Sequence, residues 1–212
     1  LIRRDVGVLL VTATLTACTP APVGPAPPSC PRDRAREVVL ASQTEVARFA
    51  GCATLPRLII RSAGPLDVSQ LHALTWVTGD LVIGPTVAVQ QIVLRELRSV
   101  DGSLHLVANS LVQGLYLPRL ERAGRIDIDG NAALTTISLP RLAEVRGALR
   151  ITDNASLELV DLPGLATIDD ALVVSGVPKL TLLEAGAVRA AGGVEIDAPR
   201  LPAEVVDKLR ER

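Results

Sequence analysis

Apolar residues recur along this chain with a period of 22 to 23 positions, opening at Leu58, Leu81, Leu104, Ile126, Leu149, Leu172 and Val194. Each opens the same phrase of apolar, any residue, apolar, and the second apolar members are Ile60, Ile83, Leu106, Ile128, Ile151, Val174 and Ile196. All fourteen positions are aliphatic in a chain that is 48% hydrophobic, a coincidence expected by chance roughly once in tens of thousands of trials. A unit this short cannot bury an apolar side alone, so the repeats stack around one continuous interior.

A second phrase follows the first in each coil. Leu115, Ile137 and Val160 lead to Leu117, Leu139 and Leu162, then to Pro118, Pro140 and Pro163, and then to Leu120, Leu142 and Leu165. Period-two alternation in both phrases predicts two short strands per coil, the second ended by a proline that has no N–H to donate. Gly79, Gly102, Gly124, Gly147 and Gly192 each stand two residues before the next start, where a tight bend is expected; Asp170 breaks that column. Asn109, Asn131 and Asn154 share one register between the strands, where an asparagine bonds its own turn and the adjacent coil. The expected fold is mainly β: a β-solenoid of about seven coils over residues 58–200. Only Phe49, Trp76 and Tyr116 are aromatic, as suits a thin interior of stacked branched aliphatic side chains.

The termini predict caps and a location. Residues 1–18 carry Arg3 and Arg4, an apolar run from Val6 to Val11 and small residues before Cys18, the layout of a secretory signal. The run is too short to span a bilayer. Leu15, Thr16, Ala17 and Cys18 resemble the lipobox of bacterial lipoproteins, which implies that Cys18 is acylated and becomes the mature N-terminus. Residues 19–31 hold Pro20, Pro22, Pro25, Pro27, Pro28 and Pro31, a composition that favours extended geometry and predicts a tether. Thr19 after the acylated cysteine resembles the pattern sent to the outer membrane in enteric bacteria. The expected location is therefore the bacterial cell envelope, lipid-anchored, at the outer rather than the inner membrane, facing the periplasm or the exterior.

With Cys18 assigned to the lipid, Cys30 and Cys52 remain as a pair in an oxidising setting. They enclose much of an N-terminal cap, residues 32–57, in which Ser42 and Glu45 have capping-box spacing, Val46, Phe49 and Ala50 share a helical face, and Gly51 follows as a stop. At the other end, residues 201–212, Pro202, Ala203 and Glu204 start a short helix whose Leu201, Val205, Val206 and Leu209 close the last coil.

A cysteine, a short helix, a second cysteine, and then coils of the form LxIxxN followed by xxIxLPxL resemble the receptor L domain, over residues 30 to about 200 and most clearly from Leu104 to Leu165. The resemblance implies a right-handed β-solenoid related to leucine-rich repeats. It carries over no ligand-binding residue.

Candidate chemistry is confined to the outward columns. On the first strand these are Ile59, Val82, His105, Asp127, Arg150, Val173 and Glu195, with Asp129 two positions beyond Asp127. Asp127 and Asp129, with Asp153 on the adjoining turn, have the composition of a Ca²⁺ site or an acid and base pair; the same residues suit cross-strand salt bridges. Tyr116 is an amphipathic ring facing outward on the second strand, the kind of residue enriched at interface centres. Trp76 falls in the loop before the second coil. His72 and His105 lack metal-ligand spacing, and no phosphate loop, zinc cysteine pairs, nucleophile elbow or HExxH helix is present, so no metal, cofactor or catalytic residue is assigned. A formal net charge of −1 argues against nucleic acid as a partner. The expected function is non-catalytic recognition of a protein or envelope partner through exposed sheet faces, with His105, Tyr116, Asp127, Asp129 and Arg150 as the candidate surface. The alternatives are a β-helix enzyme acting on glycans through Asp127 and Asp129, and a purely structural stalk.

Overall fold

A computed structural model describes residues 30, 31, 33 and 35–211. The signal-like segment with Cys18 and most of the proline-rich stretch lie outside them. The repeat winds as a β-solenoid in which every strand pairs in parallel with the strand one coil away. The first column comprises Arg57–Ser62, Leu81–Thr86, Ser99–Val107, Arg122–Asp129, Leu149–Thr152, Leu172–Ser175 and Val194–Ile196. Its register sets Leu58, Leu81, Leu104, Ile126, Leu149, Leu172 and Val194 in one file and their apolar partners two residues on in another. All of these side chains are buried except Val194, which is partly covered at the last coil.

The second column forms a five-stranded sheet of Gln91–Val93, Gly114–Tyr116, Thr136–Ser138, Leu159–Leu162 and Leu182–Ala185. In the first coil a 3-10 turn, Val68–Gln70, takes its place. A third column was not expected. Thr54–Leu55, Trp76–Val77, Glu144–Val145, Thr167–Ile168 and Arg189–Ala190 pair in register, and in two coils this column runs straight on into the first as Ser99–Val107 and Arg122–Asp129. Trp76 is thus in a strand and not in a loop. A two-residue strand offers only one inward position, here Leu55, Val77, Val100, Ala123, Val145 or Ile168, so alternation has nothing to repeat.

Asn109, Asn131 and Asn154 form a buried ladder, fully hidden from solvent. Asn109 Nδ2 donates to Asn131 Oδ1 at 2.8 Å and Asn131 Nδ2 to Asn154 Oδ1 at 3.1 Å. Each amide nitrogen also donates back one coil, to the carbonyls of Ile83, Leu106 and Ile128. Each amide oxygen accepts the backbone N–H of the preceding member, with Thr86 supplying both its N–H and its hydroxyl to Asn109. The ladder exists because the residue before each asparagine turns the chain through a left-handed conformation: Ala108, Gly130 and Asp153 at φ 53, 64 and 53°. A turn there points backbone groups inward where no strand pairs them, and the amide satisfies them. Val177 follows Asn154 in the column and ends it.

Gly102 and Gly124, two of the glycines before a start, have a different cause from the one expected, whereas at Gly79 a Cβ would meet nothing nearer than 3.5 Å. Gly102 and Gly124 are absent from the positive-φ residues, so no unusual bend demands them. A Cβ on Gly124 would instead lie 2.5 Å from the Asp101 carbonyl oxygen and 2.6 Å from that of Gly102, on the neighbouring coil. Close approach between rungs selects glycine.

Both caps form. The N-terminal one adds an unexpected rung: Glu37–Leu40 pairs with residues 57–60, burying Val38 and Leu40 beneath Leu58 and Ile60. Helix α1, Gln43–Phe49, starts in a capping box, with Glu45 N–H donating to Ser42 Oγ and the Glu45 carboxylate accepting the N–H groups of Ala41 and Ser42. The Ala41 N–H leads in holding that carboxyl below its ordinary value. Cys30 and Cys52 are disulfide-bonded, with Cα atoms 5.5 Å apart. Helix α2, Ala203–Arg210, closes the last coil with Leu209 buried and Val205 and Val206 packed against the core.

Replacing Asn131 by Ala leaves the buried Asn109 backbone N–H without its acceptor and takes a donor from the Leu106 carbonyl, and should cost about 2–6 kcal/mol at roughly 1–3 kcal/mol per affected group. Thr86→Val removes one hydroxyl bond and keeps the N–H bond, for about 1 kcal/mol. Urea unfolding of the two variants measures the difference. Equal losses would show that the ladder is not a connected network.

Candidate functional site

The outward face of the long sheet is a straight file of side chains, one per rung: Val39, Ile59, Val82, His105, Asp127, Arg150, Val173 and Glu195. Strand alternation puts them on one side, and the parallel register keeps neighbours about 4.8 Å apart. The file has an aliphatic end, Val39 to Val82, and a charged middle.

Asp127 is the centre of that middle and its side chain is 17% exposed. It accepts a hydrogen bond from Arg125 Nε at 2.7 Å, and His105 Nδ1 lies 3.4 Å from the same oxygen. Asp129 accepts from the Thr152 hydroxyl on the next strand. Arg150 stands in register with Asp127, exposed, yet makes no ion pair among the described residues. The sequence placed Arg150 among the carboxylates; the structure gives its place to Arg125. Arg125 precedes the apolar start by one residue and was outside the columns considered, although Arg125 and Asp127 obey the same two-residue spacing.

The two carboxylates project from alternate positions of one strand, roughly 7 Å apart along it. Each is already engaged by a neighbour. Among the described residues no group of three or more His, Cys, Asp or Glu side chains is placed to share a metal ion.

Tyr116 does not join this set. It lies on the short sheet, in register with Val93 and Ser138. Its ring folds back over Gly114, where a Cβ would come within 2.3 Å of the ring carbon Cε2. The five candidate residues therefore fall on two faces: His105, Asp127, Asp129 and Arg150 on one, Tyr116 on the other. Trp76, 38% exposed, lines a third feature, a hollow of about 400 Å³ shared with Cys30, Pro31, Thr54 and Pro56.

Around these, coil-to-coil ion pairs such as Arg57 with Glu37 and Asp80, or Arg98 with Glu121, are exposed and contribute at most about 1 kcal/mol each. No protein-family model, curated protein or solved structure matches the chain.

Loss of Arg125 leaves the sheltered Asp127 carboxylate without its nearest donor, so Arg125→Ala should destabilise by about 1 kcal/mol after allowance for solvent screening. Arg150→Ala should change stability by less than about 0.5 kcal/mol. Thermal or urea unfolding of the two variants tests the assignment, and the reverse order would contradict it.

Proposed function

We propose that this protein is a non-catalytic binding module, exported and lipid-anchored, that recognises a protein or envelope partner through the outward face of its long sheet. The observation that carries the reading is the state of the charges on that face. Asp127 is engaged by Arg125 and His105, and Asp129 by Thr152, so neither carboxylate stands as a lone acid or base. Arg150 beside them is exposed and makes no ion pair among the described residues, and the aliphatic strip of Val39, Ile59 and Val82 lies in the same file. A rigid strip with an exposed guanidinium in its middle and aliphatic side chains at one end suits recognition, since arginine pairs a planar fork of donors with weak hydration.

Export is supported by the disulfide, because such bonds persist in oxidising compartments. Anchoring rests on the lipobox resemblance at Cys18. Cys30 joins the fold at the N-terminal cap through its disulfide to Cys52.

A photo-activated cross-linker placed at position 150 in living cells should capture a discrete partner, and the same probe at position 116 should not, because Tyr116 is on the other sheet. Equal background at both positions would favour the stalk. For the anchor, Cys18→Ala should abolish labelling by a fatty-acid probe and leave the precursor uncleaved. A variant that still takes up label would refute the acylation of Cys18.

A further inference from the structure

The two sheets end differently at the C-terminal end of the solenoid. The last first-column strand, Val194–Ile196, is sheltered by α2, and Arg210 donates to the Ile196 carbonyl at 3.2 Å. The last strand of the short sheet, Leu182–Ala185, is paired on one side alone, with Leu159–Leu162. The N–H groups of Leu182 and Gly186 bond back to the carbonyls of Glu158 and Leu162. Parallel alternation therefore aims the N–H and C=O groups of Leu183 and Ala185 the other way, toward α2.

Between that edge and the helix lies a groove of about 400 Å³, lined by Glu184 and Ala185 on the strand side and by Glu204, Val205, Lys208 and Leu209 on the helix side. Its size is within the ~300–1,000 Å³ typical of ligand clefts. Leu182, 51% exposed, extends the apolar surface at the start of the strand.

We propose that this groove binds an extended basic peptide segment of another protein by strand addition. Three features specify the occupant. Among the described residues the main-chain groups of Leu183 and Ala185 on this side have no hydrogen-bond partner, and another extended backbone completes such an edge. Val205, partly exposed on the helix side, and Leu182, exposed on the strand side, offer apolar contact to side chains of the added strand, whose residues alternate in direction. Glu184, Glu204 and Lys208 form no ion pair among the described residues, and two carboxylates against one ammonium leave the groove negative. The site is distinct from the outward face of the long sheet and does not depend on a partner there.

Selection of a phage-displayed library of short random peptides on the purified full-length protein tests the proposal. Enriched sequences should carry aliphatic residues at alternate positions and at least one Lys or Arg. A synthetic peptide of an enriched sequence, followed by fluorescence anisotropy, should bind Ala185→Pro about tenfold or more weakly. That proline deletes an N–H on the open side and leaves the ladder to Leu159–Leu162 intact. The double variant Glu184→Lys with Glu204→Lys alters only exposed charges and should lose at least as much, so it decides the matter if Ala185→Pro fails to fold. Absence of enrichment, or binding unchanged in the double variant, would overturn the proposal. So would a concentration-dependent dimer abolished by either variant, since a second copy of this chain would then occupy the edge.

Discussion

Everything in this molecule follows from the requirement that each coil present the next with the same cross-section. A parallel rung is hydrogen-bonded above and below, so any side chain that changes the outline of one coil disturbs two neighbours. The consequence is visible in three independent columns. Aliphatic residues fill the interior in files, asparagines satisfy the one inward-facing turn, and glycines at 102 and 124 admit the backbone of the adjacent coil. The last two are constraints of contact and hydrogen bonding; propensity alone explains neither. They also explain why aromatic residues make up only 1% of the chain, since a large ring has no counterpart to stack on one rung away.

The same constraint sets what a sequence of this kind discloses. The apolar phrase was legible because it repeats seven times, and the caps because Ser42 with Glu45 and Pro202 with Leu209 follow local rules. The asparagine column was legible for the same reason, though not the left-handed turn before it, since Ala108 and Asp153 adopt that turn without being glycine. The third column was hidden by its length, and the rung at Glu37–Leu40 by its separation from Leu58, which is shorter than the repeat. On the surface, position in a file was legible while pairing was not. Register placed Arg150 beside Asp127, yet side-chain reach along the strand gave Asp127 to Arg125. Pairing depends on rotamers, and periodicity carries no record of them.

A solenoid therefore offers two kinds of recognition, and they obey different rules. Along its sides the main-chain groups of the inner strands are bonded to neighbouring rungs, so a partner docking there would meet side chains, and specificity would reside in a file such as Val39 to Glu195. At its ends the backbone itself is unfinished. Evolution closes most of that edge, here with Glu37–Leu40, α1, the Val68–Gln70 turn and α2, because an open parallel strand invites uncontrolled pairing. A residual opening is tolerable only where it is narrow and guarded by charge. Leu182–Ala185 fits both conditions, since α2 lines the groove on one side and Glu184 and Glu204 border it, charges that would disfavour a strand without positive charge. The side face and the end groove are thus complementary products of one geometry: on the proposed reading the first would select a partner by what its side chains are, the second by whether its backbone can extend.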